Sequence, residues 1–274
     1  MSDTLVAASN SLQTQLDGGV LTLSLQAPER GNALSWDMVI ALDELLQHIA
    51  LREDVRVVVV RGSGEQFSVG LDVDDFTRVM STDLPRARTA LEYLHQWRSR
   101  VLRLLPQPVI GLVVGACQGA AVRIIEGCDI VLAAEDAQFM LTGPDASLLA
   151  RHPACVPGPD WLEPGALAHL QTPGHIVSGR EAEQLGLVTS ACARDAIEHE
   201  VMELACALVE KDRLALQFTK ETVAHVGSMS WDAAVSYTAA KFAELKSRQA
   251  NGPSARASGV QNFLAGKSKP GLGG

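Results

Sequence analysis

Residues Val109 to Phe139, VIGLVVGACQGAAVRIIEGCDIVLAAEDAQF, constrain the fold of this chain more than any other stretch. They read as a buried apolar run (Val109 to Val114), a turn of small residues (Gly115, Ala116, Gly119, Ala120, Ala121), a short helix to Gly127, and a second apolar run from Ile130 to Ala134. Where a strand hands over to a helix through glycine and alanine, no bulky side chain stands between the backbone N–H groups and a ligand. Such a turn can hold a negative oxygen. A second one lies upstream at Phe67 to Asp72, FSVGLD, after the apolar strand Val57 to Arg61. Two donor turns that converge on one oxygen would stabilise the enolate of a thioester.

The rest of the chain reads as strands and helices in alternation. Gln13 to Leu16 and Val20 to Leu25 flank Asp17-Gly18-Gly19, a hairpin with a glycine turn. Ser35 caps a helix that carries Met38, Leu42, Leu45, Leu46 and Ile49 on one side. Val55 to Val60 is the almost continuous apolar run of a strand covered on both faces. Asp74 to Pro85 is charged and expected to be a mobile segment, and a long helix is expected from Arg86 to Leu105 with Leu91, Leu94, Val101 and Leu104 inward. Ser178 begins a helix, Leu187 to Cys192 is a short strand, and helices are expected over Asp195 to Glu210, Leu214 to His225 and Trp231 to Gln249. Gly252 to Ser258 reads as a linker and Val260 to Leu264 as a last short helix. This alternation predicts an α/β fold: a spiral core of repeated ββα units over residues 1–194, and a C-terminal helical region with a tail over 195–274.

Composition excludes several classes of function. At 274 residues and 47% hydrophobic the chain can bury a full core, and its net charge of −9 argues against a general nucleic-acid surface. Five cysteines form no CxxC pair and no metal-ligand spacing with histidine, so no metal is expected, and reduced thiols fit a cytoplasmic protein. The first residues, MSDTLVAASNSLQTQL, lack a basic region and a long apolar block, so no signal peptide is expected. No run approaches the roughly 18 apolar residues of a membrane span.

Four segments in order, ERGNALS (Glu29 to Ser35), FSVGLD, VVGACQGAA with CD and AQF (Val113 to Phe139), and SGREAEQLGLV (Ser178 to Val188), resemble the crotonase superfamily, the enoyl-CoA hydratases and isomerases. WDAAVSYTAAK, GVQNFLAGKSKPGLG and LEYLHQWRSRVLRLLPQPVI look closest to its hydroxycinnamoyl-CoA hydratase-lyase branch. The resemblance implies the crotonase-type ββα spiral with a C-terminal helical appendage, action on an acyl-CoA thioester, no cofactor beyond the coenzyme A of the substrate, and a homotrimer or dimer of trimers.

It also assigns residues. The oxyanion donors match the backbone amides of Leu71 and Ala120, with Gly70, Gly119, Ala33 and Leu34 around the thioester. The two glutamates that move protons in hydratases fall at Arg123 and Gly143, neither of them a carboxylate. A register shift of two would bring Asp145 to the acid position; otherwise Asp145 is a turn residue after proline. His152 stands where some relatives place an acidic group, as a proton carrier or as an ordinary histidine. Arg123 pairs either with a substrate carboxylate or with a nearby acid such as Asp129. Tyr237 matches an aromatic position near a phenol end, and Phe263 and Lys267 match residues that reach CoA from a neighbouring subunit. Each of the three also has a plain reading, as a packed tyrosine or as part of a solvated tail. Asp74 and Asp75, where relatives often carry a basic residue, would repel CoA phosphates. Three readings follow: a thioester enzyme with a non-standard substrate, aromatic acyl groups among the candidates; a carbon–carbon bond hydrolase that needs no CoA; and a non-catalytic thioester binder.

Overall fold

The computed structural model describes residues 11–86, 88–89, 92, 102–141, 162–171 and 175–249. Strands β1 (Leu12–Asp17) and β2 (Val20–Leu25) form the expected hairpin. Gly18 and Gly19 make its two-residue turn, both with positive φ (54° and 88°), a backbone that matches the right-handed twist of the flanking strands. Beside β2 run β3 (Val57–Gly62), β4 (Val109–Val113), β6 (Ile130–Ala134) and β9 (Ser190–Cys192), all parallel, in the order β1-β2-β3-β4-β6-β9. A second sheet joins β5 (Ala116–Gln118), β7 (Gln138–Met140) and β8 (Val177–Ser178) in the order β5-β7-β8. Val57 to Val60 and all of β4 are buried, as parallel strands covered on both faces must be.

The helices follow from caps and apolar spacing. Ser35 accepts a hydrogen bond from the Met38 amide and opens α1 (Trp36–Ala50), whose Met38, Leu42, Leu45, Leu46 and Ile49 are all buried. Asp74 to Pro85 is not the loose segment expected. Asp72 accepts from the Asp75 amide and caps α2 (Val73–Thr82), which buries Phe76 and Val79 and leaves Asp74 and Arg78 outside. The acidic run masks an apolar i, i+3 pair behind a good N-cap. The inward assignment of Leu104 is also corrected. Leu104 is 49% exposed, and its neighbours Leu102 and Leu105 are buried in a turn. Leu91, Leu94 and Val101 lie outside the described residues, as do the linker and last short helix expected beyond Gly252.

After α3 (Ala120–Gly127) come α4 (Pro164–Leu170) and α5 (Gly179–Gln184). Ser178 and Glu181 form a reciprocal capping box at the start of α5. Helix α6 (Ile197–Val209) packs on β2, β3, β4 and β6. It therefore belongs to the first of two compact units, Met1–Val209 and Glu210–Gly274, a division one helix later than the expected boundary at Asp195. The second unit holds α7 (Arg213–Val226) and α8 (Trp231–Gln249). Asp212 caps α7 through the Ala215 amide and also accepts from Gln249, while Lys241 bridges to Glu221 at 2.7 Å. No helix among the described residues is long and apolar enough to cross a membrane.

Candidate functional site

The two donor turns, far apart in sequence, lie side by side. Phe67 N donates to Val114 O at 2.8 Å, Ser68 N to Ala116 O at 2.9 Å, and Gln118 N to Ser68 O at 3.0 Å. Ser68 and Cys117 thus form a parallel bridge. Leu71 and Ala120 each stand three residues beyond a member of that bridge, so the register carries both turns forward together. Leu71 is 4% exposed, Ala120 is fully buried, and Gly70 and Gly119 are buried beside them in the chain.

A loop of the ERGNALS segment clasps the first turn. Leu34 N donates to Gly70 O at 2.8 Å and Asp72 N to Leu34 O at 3.0 Å, which pairs Leu34 with Leu71 and brings buried Ala33 alongside. Asn32 anchors the loop. Its Nδ2 donates to the carbonyls of Ser63 and Gln66, both at 2.8 Å, and its Oδ1 accepts from Ala27 N at 3.0 Å and Ser63 Oγ at 3.1 Å. With φ at +53°, Asn32 is the non-glycine residue that holds a left-handed backbone here, where a short polar side chain is tolerated. Ser68 Oγ donates to Asn32 O at 2.7 Å and accepts from Gly70 N at 3.2 Å. Arg30 pairs with Asp72 across the same junction.

The second turn is built from backbone. Gly119 adopts φ 51° and ψ −120°, a positive-φ backbone that favours glycine, and its amide donates to Met140 O at 2.8 Å. Gly115 has φ +58°, and a Cβ there would lie 2.1 Å from the Glu65 carbonyl oxygen. Gln66 supplies one side-chain tie, accepting from Ala116 N at 3.2 Å.

Arg123 projects from α3 and bridges to Glu126 one turn on, at 2.9 Å, with the Glu126 side chain wholly buried. Asp129, the acid named from the sequence, accepts from Val109 N at 2.7 Å. Glu126 is the residue that sequence reasoning passes over, although an Arg and a Glu three apart on a helix are there to be paired. Burial, followed by the nearby Cys128 and Glu126, pushes the Cys117 thiol well above its ordinary range, which disfavours the thiolate in the folded chain. Asp75 serves the fold, since its carboxylate accepts from Trp36 N at 2.8 Å and pairs with Arg78.

Tyr237 sits on α8 in the second unit, its ring 5.7 Å from His225 and 5.9 Å from the Lys241 ammonium. Gly143, Asp145, His152, Phe263 and Lys267 lie outside the described residues. Among the described residues no three or more His, Cys, Asp or Glu side chains gather around one ion position.

Comparison with known proteins agrees with this geometry. The enoyl-CoA hydratase/isomerase family profile matches residues 15–270. The hydroxycinnamoyl-CoA hydratase-lyase of Pseudomonas fluorescens is 26% identical over 270 residues, covering 96% of this chain and 95% of its own. The mitochondrial enoyl-CoA hydratase domain-containing protein 3 of Danio rerio is 28% identical over 266 residues, covering 96% and 88%. Among solved structures, an enoyl-CoA hydratase from Mycobacterium smegmatis superposes with a TM-score of 0.77 at 25% identity, covering 96% of this chain and 99% of that one. The paired strand-to-helix turns, the parallel sheet and the near full-length matches lead to one conclusion: the chain belongs to the enoyl-CoA hydratase/isomerase family of the crotonase superfamily.

Proposed function

We propose that the chain processes an acyl-CoA thioester, with the amides of Leu71 and Ala120 stabilising the enolate oxygen of the acyl group. The observation that carries this reading is the Ser68–Cys117 bridge, which sets the two turns in one register and places both residues at the same offset beyond it. Preorganised backbone donors aimed at developing charge are the strongest aid a protein gives to enolate chemistry. Gly70 and Gly119 let the thioester approach the backbone, and Ala33 and Leu34 form the adjoining wall.

The proton chemistry departs from the standard hydratase. The first family glutamate position is Arg123, whose charge is balanced by Glu126, so α3 offers no base there. Gly143 occupies the second. We therefore favour a lyase or isomerase outcome on a non-standard substrate, an aromatic acyl group whose own phenol ionises, or one that uses Asp145 or His152 as the acid or base. The names of the relatives, a hydroxycinnamoyl-CoA hydratase-lyase and a 1,2-epoxyphenylacetyl-CoA isomerase of Escherichia coli, support aromatic acyl groups. Asp75 speaks for the thioester against the CoA-free hydrolase, because its carboxylate is engaged by Trp36 N and Arg78. Phe263 and Lys267 are assigned to CoA, and Tyr237 to the far end of the acyl group. Trp231, Val235 and Phe242 follow one stripe of α8 and are 82%, 52% and 52% exposed, an apolar face that supports assembly as a homotrimer or dimer of trimers.

The test is a panel of aromatic and aliphatic enoyl-CoA and 3-oxoacyl-CoA thioesters, with CoA-free diketones included, followed by mass spectrometry. Turnover of an aromatic thioester is expected. Exchanging the residue-120 amide for an ester, which deletes one N–H and adds no side-chain atoms, should lower kcat by about 10²–10³-fold. Loss of turnover in Asp145→Ala or His152→Ala identifies the proton carrier. Turnover of diketones without CoA affinity would overturn the thioester reading, and a monomer in size-exclusion light scattering would overturn the trimer.

A further inference from the structure

Two imidazoles outside the candidate site point at each other. His169, in the last turn of α4, and His175, two residues before β8, bring their Nε2 atoms to 2.9 Å, with the rings edge to face and their centroids 4.2 Å apart. At that distance one Nε2–H donates to the other Nε2, so a single proton sits between two nitrogens that can each offer a lone pair. The Glu181 carboxylate lies within electrostatic reach of both rings. Its hydrogen bonds from Ser178 N and Ser178 Oγ hold its titration below the usual carboxylate range, and the imidazoles add to that effect. Both bonds use Oε2.

We propose that His169 and His175 form a binding site for a divalent transition-metal ion of the zinc and nickel class. Imidazole nitrogen suits these ions. Zinc–nitrogen bonds of about 2.0–2.1 Å meeting at a tetrahedral angle place two ligand nitrogens about 3.3 Å apart. The pair needs only a small opening of the rings to reach that spacing, and the shared proton passes through solvent to Nδ1 of its own ring, so that both imidazoles offer a neutral Nε2 lone pair to the ion. The two imidazoles supply half of the coordination sphere, water completes it, and the neighbouring anionic Glu181 favours the added positive charge. No other histidine among those described has this arrangement. His48 and His225 each place Nδ1 2.6 Å from the carbonyl four residues earlier in their helices, and His199 sits 4.0 Å from Glu203. An ion held here ties the end of α4 to β8, which pairs with β7, the strand whose Met140 carbonyl takes the Gly119 amide. The site is independent of the thioester reading.

Isothermal titration of tag-free, chelator-treated full-length protein with Zn²⁺ tests it, alongside His169→Ala, His175→Ala and, as a control, His225→Ala. One Zn²⁺ per chain is expected in the wild type and in His225→Ala. Each of the other two variants should weaken binding by more than the about tenfold that loss of even an outer-shell partner costs. His169 is exposed and the His169–His175 contact is at the surface, so all variants should unfold at the wild-type temperature without metal, and Zn²⁺ should raise Tm only where both rings remain. Equal Zn²⁺ affinity in wild type, His169→Ala and His175→Ala, or no binding to the wild type, would overturn the proposal.

Discussion

The two turns that flank the candidate site are built to the same plan and share a backbone ladder, but side chains carry more of the hold on the first. The first, Phe67 to Asp72, is clasped by side chains: Asn32 and Ser68 link it to the ERGNALS loop, and Asp72 joins it to Arg30 and to α2. The second, Gly115 to Ala120, takes a side-chain tie from Gln66 and is held by backbone hydrogen bonds and by the absence of side chains at Gly115 and Gly119. A turn fixed by polar side chains loses its hold in steps as single bonds are removed. A turn fixed by close backbone approach tolerates almost no added atom.

Substitutions put that contrast to the test. The largest effect is expected at Gly115→Ala, where the new Cβ meets backbone oxygen at 2.1 Å in a left-handed conformation. Destabilisation of about 4 kcal/mol or more is expected, read by chemical denaturation, and a loss below about 1 kcal/mol would mean that the second turn can yield. Asn32→Ala in the first turn should cost about 2–3 kcal/mol, because the carbonyls of Ser63 and Gln66 and the Ala27 amide lose a buried partner together. Asn32→Asp should cost at least as much, since its carboxylate keeps the acceptor that serves Ala27 N but turns a second acceptor oxygen toward the two carbonyls that Nδ2 served. Asp72→Ala should cost about 1 kcal/mol, the usual loss of an N-cap, and leave the Ser68–Cys117 bridge intact. The smallest effect is kinetic. Exposed Cys206 should react with an alkylating reagent within the native state near pH 8. Cys117, buried and held in its neutral thiol form, should react only as the chain unfolds. Native-state alkylation of Cys117, followed by peptide mass spectrometry, would show the second turn to be open.

Much of this is legible in the residues. The glycine turn of the β1–β2 hairpin, the Ser35 and Ser178 caps and the apolar runs of β3, β4 and β6 announce themselves through local rules, because each depends on neighbours in the chain. The motifs of the two turns are equally local. Helix α2 is hidden because charge dominates its composition, while Phe76 and Val79 alone decide which way it packs. The partner of Arg123 is obscured for a related reason. Glu126 and Asp129 are both near in sequence, and only the packing of α3 against the core determines that Glu126 turns inward to the guanidinium while Asp129 serves the start of β4.

Caps, glycines and apolar periods act over a few residues at a time, so most of the elements, their order and the family can be read from the residues alone. Which elements meet is set only when the whole chain packs. Nothing within either turn specifies that Ser68 should pair with Cys117, that Asn32 should reach across to Ser63 and Gln66, or that His169 and His175 should bring their Nε2 atoms to 2.9 Å. Such contacts depend on how the strands and loops pack in three dimensions, and that packing is a property of the whole core rather than of any segment in it.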